Sequence, residues 1–244
     1  MGFGKKNLGE EIAREGYEAV RYLLGMGERI TVESSLFALP VLNVLWTMVG
    51  GKSYSRSDME MKKLLDLNTL LFESQIFFIA LHMPSVRFLL PSLTGYSKWL
   101  EGVNQINDII KKEIKEHEAT LDEDDPRDFI DMYLIEMKKN NDPDFSTKQL
   151  MMICHDLMSA GSETTATTLN WIIMYLSLYP EVQDRCYQEI EEGIGQGIPT
   201  PADMDKLDFC QATICEIQRV AQVAVSSVQH KIHKEVPDRR FNTR

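Results

Sequence analysis

A proline-free run of 33 residues, 147–179, constrains the fold of this chain more than any other feature of its sequence. The run follows Ser146, which forms with Gln149 the S-x-x-Q pattern of a capping box, and it ends at Pro180. Leucine and isoleucine recur through it at helical spacing, so it predicts a single helix about 50 Å long. A helix of that length crosses a whole domain, with other helices packed around it.

The remainder of the chain is also dominated by helical periodicity, with few strand signals and no internal repeat. Further helices are predicted over residues 8–25, 36–49, 58–82, 96–117, 127–139 and 206–221. The fold class is therefore mainly α with little or no sheet. Residues 36–49 are the most apolar stretch, but a bilayer span needs about 20 residues, so they predict a buried helix. No signal peptide is recognised after Met1.

Charge and cysteine content exclude several classes of partner. The 244 residues include 37 acidic and 26 basic side chains, a formal net charge of −11, which argues against a nucleic-acid-binding surface. No C-x-x-C pair or E-x-x-H site is present, and the acidic loop 122–126 lacks EF-hand spacing, so no metal site is predicted. We expect a reducing compartment. The four cysteines are expected to be small buried side chains: Cys154, Cys186, Cys210 and Cys215.

The middle of the long helix, residues 160–165 (AGSETT), is unusual for a purely structural segment, because glycine alone costs a helix about 1 kcal/mol. Ala160 and Gly161 leave space for a large flat group to approach the backbone, and Thr164 places a hydroxyl at the same edge. Such hydroxyls bond to carbonyls of the preceding turn and can bend the helix. Glu163 would hold or relay a proton. A close crossing by another helix explains the small residues equally well.

A second pattern lies in the helix predicted over residues 206–221. Glu216 and Arg219 are three residues apart and share one face of that helix. Taken alone, such a pair is more often an exposed ion pair than a structural keystone.

Together these two patterns resemble the cytochrome P-450 haem-thiolate monooxygenases, in their microsomal drug- and steroid-metabolising, family-2-like branch. Residues 160–165 fit the (A/G)-G-x-(D/E)-T-(T/S) oxygen-activation motif, and residues 216–219 fit the E-x-x-R motif. Residues 126–131 (PRDFID) are typical of the vertebrate and insect members of that branch, and residues 4–11 and 43–54 are similar to it as well. The resemblance covers about 4–230 of a single partial domain, 1–244, with a divergent tail at 231–244.

The resemblance implies an incomplete P-450 fold around a bound haem. Ala160 and Gly161 would lie against the haem, while Thr164 and Glu163 would deliver protons during oxygen activation. His230 would contact a haem propionate, although an exposed basic residue is the simpler account of it. Glu216 and Arg219 would be structural.

The resemblance further implies a monooxygenase that inserts one oxygen atom from dioxygen into an apolar small molecule, with electrons from NADPH through a reductase. The complete protein would lie on the cytoplasmic face of the endoplasmic reticulum membrane, held by an N-terminal anchor that is absent here.

The chain departs from the family pattern at its most important residue. No cysteine lies in the F-x-x-G-x-x-x-C-x-G loop that supplies the axial thiolate, so the sequence contains no iron ligand. We therefore expect a truncated product, a fragment inactive by itself. The alternative is a non-catalytic helical protein that binds partners or has no function.

Overall fold

The structure is a computed structural model, and it describes residues 6–27, 36–73, 85, 91–92, 95–139 and 145–224. The helices are α1 (Lys6–Gly25), α2 (Ala38–Gly50), α3 (Met59–Glu73), α4 (Tyr96–Thr120), α5 (Phe129–Lys139), α6 (Thr147–Leu178), α7 (Pro180–Gly193) and α8 (Asp208–Ala221), with a 3-10 helix at Pro201–Lys206. Over these residues the chain contains no strand, and the predicted mainly α class is confirmed.

The long helix predicted from the proline-free run is α6, with 32 residues. Its N-terminus is capped as predicted, because the Ser146 hydroxyl accepts a hydrogen bond from the Gln149 N–H at 3.2 Å. Pro180 is the first residue of α7, a position where the missing N–H costs nothing. The sequence signals at both ends therefore determine the length of α6.

The core lies where α2, α4, α5 and α6 meet. Trp46 of α2 and Ile110 of α4 are almost fully buried, as are Leu150 and Cys154 on the inner face of α6. The apolar segment around Trp46 is thus the buried helix that its sequence predicts. Among the helices that the structure describes, none is both long and apolar enough to cross a membrane.

Several helix boundaries differ from the sequence predictions by a few residues. Helix α4 continues to Thr120 instead of ending at residue 117. Helix α5 begins at Phe129, because the Asp128 carboxylate accepts a hydrogen bond from the N–H of Asp131 at 3.0 Å and so caps it. Helix α3 is described as far as Glu73, and the remainder of the predicted segment, to residue 82, lies outside the described residues.

The helix predicted over 206–221 is shorter than expected, because Leu207 separates a 3-10 helix from α8. The 3-10 helix has its own capping box, in which Asp203 accepts a hydrogen bond from the Thr200 N–H at 2.9 Å. Helix α8 begins one residue after Leu207, and its first turn is capped by Glu189 of α7.

Candidate functional site

The residues of the oxygen-activation pattern lie on two faces of α6. Ser162 belongs to the buried face, in line with Cys154, Met158 and Ala166 at four-residue spacing. Ala160 and Thr164 lie on the opposite face and are exposed. We call these two residues, Ala160 and Thr164, the α6 strip.

Hydroxyl groups bond back to the helix throughout this segment, as the sequence predicts. Thr164 Oγ1 donates to the carbonyl of Ala160 at 2.8 Å, and Thr168 Oγ1 donates to the carbonyl of Thr164 at the same distance. Ser162 Oγ donates to the carbonyl of Met158 at 2.6 Å. The hydroxyl proton of Thr164 is therefore bonded to the backbone. The hydroxyl oxygen can still accept a hydrogen bond from a donor on the exposed side.

Gly161 lies where α2 crosses α6 at close range. A Cβ added to Gly161 would lie 2.9 Å from Cδ1 of Leu45, closer than two carbon atoms approach without a shift. The close helix crossing, one of the two explanations that the sequence left open, is thus present at Gly161. Space for a flat group exists instead on the outer side, where the short Ala160 side chain and the Thr164 hydroxyl are exposed. The strip fits a planar cofactor laid against that side.

A buried hydrogen bond behind the strip was not foreseen from the sequence. Asn68 Nδ2 of α3 donates to Ser162 Oγ at 3.1 Å, and both side chains are buried. Ser162 occupies the variable position of the oxygen-activation pattern, so the motif gives no signal for it. The buried residues of α6 recur every four positions, and Ser162 is the one hydroxyl among them. A hydroxyl at such a position is the signal that would have indicated a polar partner on another helix. The bond ties α3 to α6 at the level of the strip, and Glu163 beside it is half-buried.

Glu216 and Arg219 form a bidentate ion pair on α8. Arg219 Nε and Nη2 donate to the Glu216 carboxylate at 2.8 and 2.7 Å, and both side chains are more than half exposed. The guanidinium lowers the pKa of Glu216 below its usual range. Beside the pair an apolar groove of about 450 Å³ lies between the end of α6 and helices α7 and α8, lined by Tyr175, Tyr179, Phe209 and Ile217 among others.

No cysteine lies on the α6 strip. Cys154 is fully buried on the inner face of α6, and burial raises the pKa of its thiol to about 12. Cys186 is also buried. The expectation of four buried cysteines is wrong for the other two, since Cys210 is half-buried and Cys215 is exposed on α8.

A buried polar cluster joins α4 to α5, and the sequence analysis did not identify it. His117 Nδ1 donates to the carbonyl of Glu113 at 2.8 Å, and His117 Nε2 contacts Asp128 Oδ2 at 2.8 Å. Asp131 accepts hydrogen bonds from Arg127 at 2.6 and 2.9 Å. We call these five residues the α4–α5 junction. Both ring nitrogens of His117 face oxygen atoms, an arrangement that favours the protonated ring. Burial lowers the pKa of His117, but these contacts outweigh it and raise the pKa above its usual value.

One predicted site residue falls outside the structure. His230 lies outside the described residues, and its proposed contact with a propionate stays a prediction. The same holds for the first part of the family pattern, residues 4 and 5.

Comparison with known proteins gives a consistent result along nearly the whole chain. The family model described as Cytochrome P450 matches residues 5–239, which includes most of the tail that the sequence analysis set apart. The chain is 35% identical to "Probable cytochrome P450 303a1" of Drosophila melanogaster over 213 residues, 84% of this chain and 42% of that protein.

Two further relatives extend this likeness to the family-2 type. "Cytochrome P450 2L1" of Panulirus argus is 32% identical over 96% of this chain and 50% of its own length. "Cytochrome P450 2J3" of Rattus norvegicus is 34% identical over 95% of this chain and 47% of its own length. The chain thus spans about half the length of the curated relatives that it matches. It belongs to the cytochrome P450 family, and its relatives are of the family-2-like type.

Proposed function

We propose that the complete protein is a haem-dependent monooxygenase that inserts one atom of dioxygen into an apolar small molecule. The observation that carries the proposal is the α6 strip, where a short side chain and a hydroxyl are exposed on the outer face of a helix whose inner face is core. A helix that served only to pack would not need small and hydroxyl-bearing residues on an open face at mid-length.

The haem, when bound, would supply the activation of dioxygen. Ala160 would let the flat group approach the backbone of α6, with Gly161 beside it. The Thr164 hydroxyl now donates to the carbonyl of Ala160, and rotation about its side-chain bond would direct the same proton outward. Glu163, half-buried at the edge of the strip, would resupply that proton through water. Glu216 and Arg219 would be structural, and His230 would contact a propionate.

The partners follow from the same proposal. We infer an apolar substrate, electrons from NADPH through a reductase, and association with the endoplasmic reticulum membrane on its cytoplasmic face. The excess of acidic residues argues against a nucleic acid as a partner.

Substitution of Thr164 in the complete protein tests the proposal. Thr164→Ala removes the hydroxyl without adding bulk, so haem content should stay unchanged while product per NADPH falls and hydrogen peroxide rises. Ser177→Ala is the matched control, because Ser177 is an exposed hydroxyl on the same helix with the same bond, to the carbonyl of Ile173 at 2.8 Å. Equal coupling in the two variants would contradict the role of Thr164.

A second candidate function applies to the 244-residue chain by itself, namely a non-catalytic helical protein. Two of the four cysteines favour it. Burial raises the pKa of Cys154 to about 12, and burial raises that of Cys210 similarly, the opposite of what an iron-ligating thiolate needs. Adding haem and carbon monoxide to the reduced chain should give no red-shifted band of thiolate ligation. A band of that kind would show that this chain ligates haem through one of its own cysteines.

A further inference from the structure

Cys186 and Cys210 bring two thiols together between α7 and α8, away from the α6 strip. Cys210 Sγ lies 3.6 Å from the carbonyl oxygen of Cys186, so the thiol of one residue touches the backbone of the other. The Cys186 thiol itself donates to Thr213 Oγ1 at 3.7 Å, one helical turn beyond Cys210 on α8. The two cysteines are 24 positions apart, so their contact is made by the packing of the two helices.

Two further contacts hold the helices in this register. The Arg185 guanidinium lies over the Phe209 ring, 3.8 Å from its centroid. The Glu189 carboxylate accepts hydrogen bonds from the backbone N–H groups of Phe209 and Cys210, both at 2.8 Å. Each of these residues is a sequence neighbour of one of the cysteines or one helical turn from it. The two cysteines therefore lie at one contact between α7 and α8, with stabilising contacts on both sides of it.

The N-terminus of α8 would ordinarily activate Cys210. Cys210 is the third residue of α8, and free N–H groups at that position stabilise a thiolate. Glu189 instead occupies those N–H groups with its own negative charge. Burial, together with the Glu189 carboxylate and the Cys186 thiol, raises the pKa of Cys210 to about 12. The Cys210 thiol thus lies against Cys186 but is kept largely protonated.

We propose that Cys186 and Cys210 are a peroxide-sensitive dithiol that closes to a disulfide between α7 and α8, and that Glu189 restrains the closure. Cys210, the more exposed of the two, reacts first: its thiolate attacks the peroxide O–O bond, giving a sulfenic acid and water. The Cys186 thiolate then attacks that sulfur, and the sulfenic oxygen leaves as a second water. The two thiols lose two electrons in total, and hydrogen peroxide accepts them.

Closure would tie together the helices that carry the apolar groove and the Glu216–Arg219 pair. The resting state has four free thiols, and a thiol reductant would restore it. This inference is independent of the proposed monooxygenase function, because it requires neither haem nor substrate.

The test uses the reduced 244-residue chain and hydrogen peroxide. Intact mass after alkylation should show two of the four thiols protected, and peptide mapping should identify a Cys186–Cys210 link that dithiothreitol removes. The melting temperature should rise by about 5 °C on closure. Cys215→Ser removes the exposed thiol of α8 and should leave the link intact. A link through Cys215, or oxidation to sulfinic and sulfonic acids without any link, would overturn the proposal.

Two single substitutions separate the roles of the thiols. Cys210→Ser should abolish the link. Cys186→Ser should leave a sulfenic acid on Cys210 that dimedone traps, since the resolving thiol is gone. If dimedone instead labels Cys186 in the Cys210→Ser variant and never labels Cys210, the assigned order is wrong. Circular dichroism establishes that both variants fold.

The restraint by Glu189 has its own readout. Glu189→Gln removes the charge and keeps a cap on α8, so closure at pH 7.5 should accelerate by about threefold for each unit by which the thiol pKa falls. Glu192→Gln, on the same helix and exposed, is the matched control and should not accelerate it. In the unsubstituted chain the closure rate should rise about tenfold per pH unit from pH 7.5 to 9.5. Equal rates in the two glutamine variants would remove Glu189 from the proposal.

Discussion

The α4–α5 junction and the α6 strip hold polar residues in opposite ways. At the junction, His117, Asp128 and Asp131 are buried. His117 of α4 is bonded to Asp128 across the loop, and Asp131 is paired with Arg127. On the strip, Thr164 is exposed, and among the described residues its hydroxyl bonds only to the carbonyl one turn before it. The burial at the junction makes each of its groups costly to remove, whereas the strip can lose its hydroxyl at little cost to the fold.

The comparison predicts the largest loss of stability at the junction. Asp128→Ala would remove the nearer counter-charge of the buried His117 ring, leaving only Glu113 at 3.3 Å, and would remove the cap of α5. The free energy of unfolding should fall by about 3 kcal/mol, the usual cost of breaking a buried pair. Urea denaturation measures it. Asp125→Ala, in the exposed loop just before α5, is the control and should change it little. Equal losses in the two variants would mean that the junction is not a buried ion pair.

Gly161 gives a smaller effect and tests the crossing behind the strip. In an open helical position, Gly→Ala stabilises a helix by about 1 kcal/mol. Gly16 of α1 is such a position, since a Cβ there meets nothing within 4 Å, and Gly16→Ala should gain that amount. Gly161→Ala should gain nothing, because the new Cβ presses on Leu45 at 2.9 Å. Thermal unfolding of the two variants side by side decides it, and an equal gain would show that α2 yields freely at Gly161.

The same residues show how far the sequence leads. The ends of α6 were predictable because Ser146, Gln149 and Pro180 act locally, through capping and the missing proline N–H. The pairing of His117 with Asp128 was not, because an imidazole and a carboxylate 11 positions apart across a loop have no local signature. In the sequence, Gly161 is compatible with a close helix crossing and with a cofactor surface. Only the position of Leu45 in the structure shows that Gly161 faces the crossing with α2.

The late start of α8 has a related cause. Its first turn is capped by Glu189, a residue on the preceding helix and 20 positions from Phe209. A capping residue so far away leaves no pattern near residue 208. For the candidate site, the motif located Ala160 and Thr164, whereas the buried partner of Ser162 depended on the packing of α3.

The protonation of His117 adds a pH dependence to the junction. Burial alone would lower the pKa of His117. The hydrogen bond to Asp128 and the nearby Glu113 outweigh burial and raise the pKa of His117 above its usual range. A raised folded-state pKa means that the stabilisation is complete below pH 6.5 and is lost as the pH rises through that higher value.

The cost of His117→Gln should therefore be larger at pH 6 than at pH 9. His155 serves as the comparison, because burial lowers its pKa and its contribution is lost on acidification instead. Urea denaturation of both histidine variants across this range should show slopes of opposite sign. A cost of His117→Gln that is independent of pH would indicate that the ring is neutral in the folded chain.

The smallest change in stability is expected at Glu216 and Arg219, a polar pair that is exposed like the α6 strip. Both side chains contact water, and their ion pair lies within one turn of α8, so nothing else in the described part of the chain depends on it. Glu216→Gln should leave the denaturation midpoint of the 244-residue chain unchanged. In the complete protein the same substitution should reduce haem content, if the pair is structural there, which a pyridine haemochrome assay measures. A large loss of stability in the 244-residue chain would instead mean that α8 itself depends on the ion pair. The exposure of the pair would then give no indication of a role outside these residues.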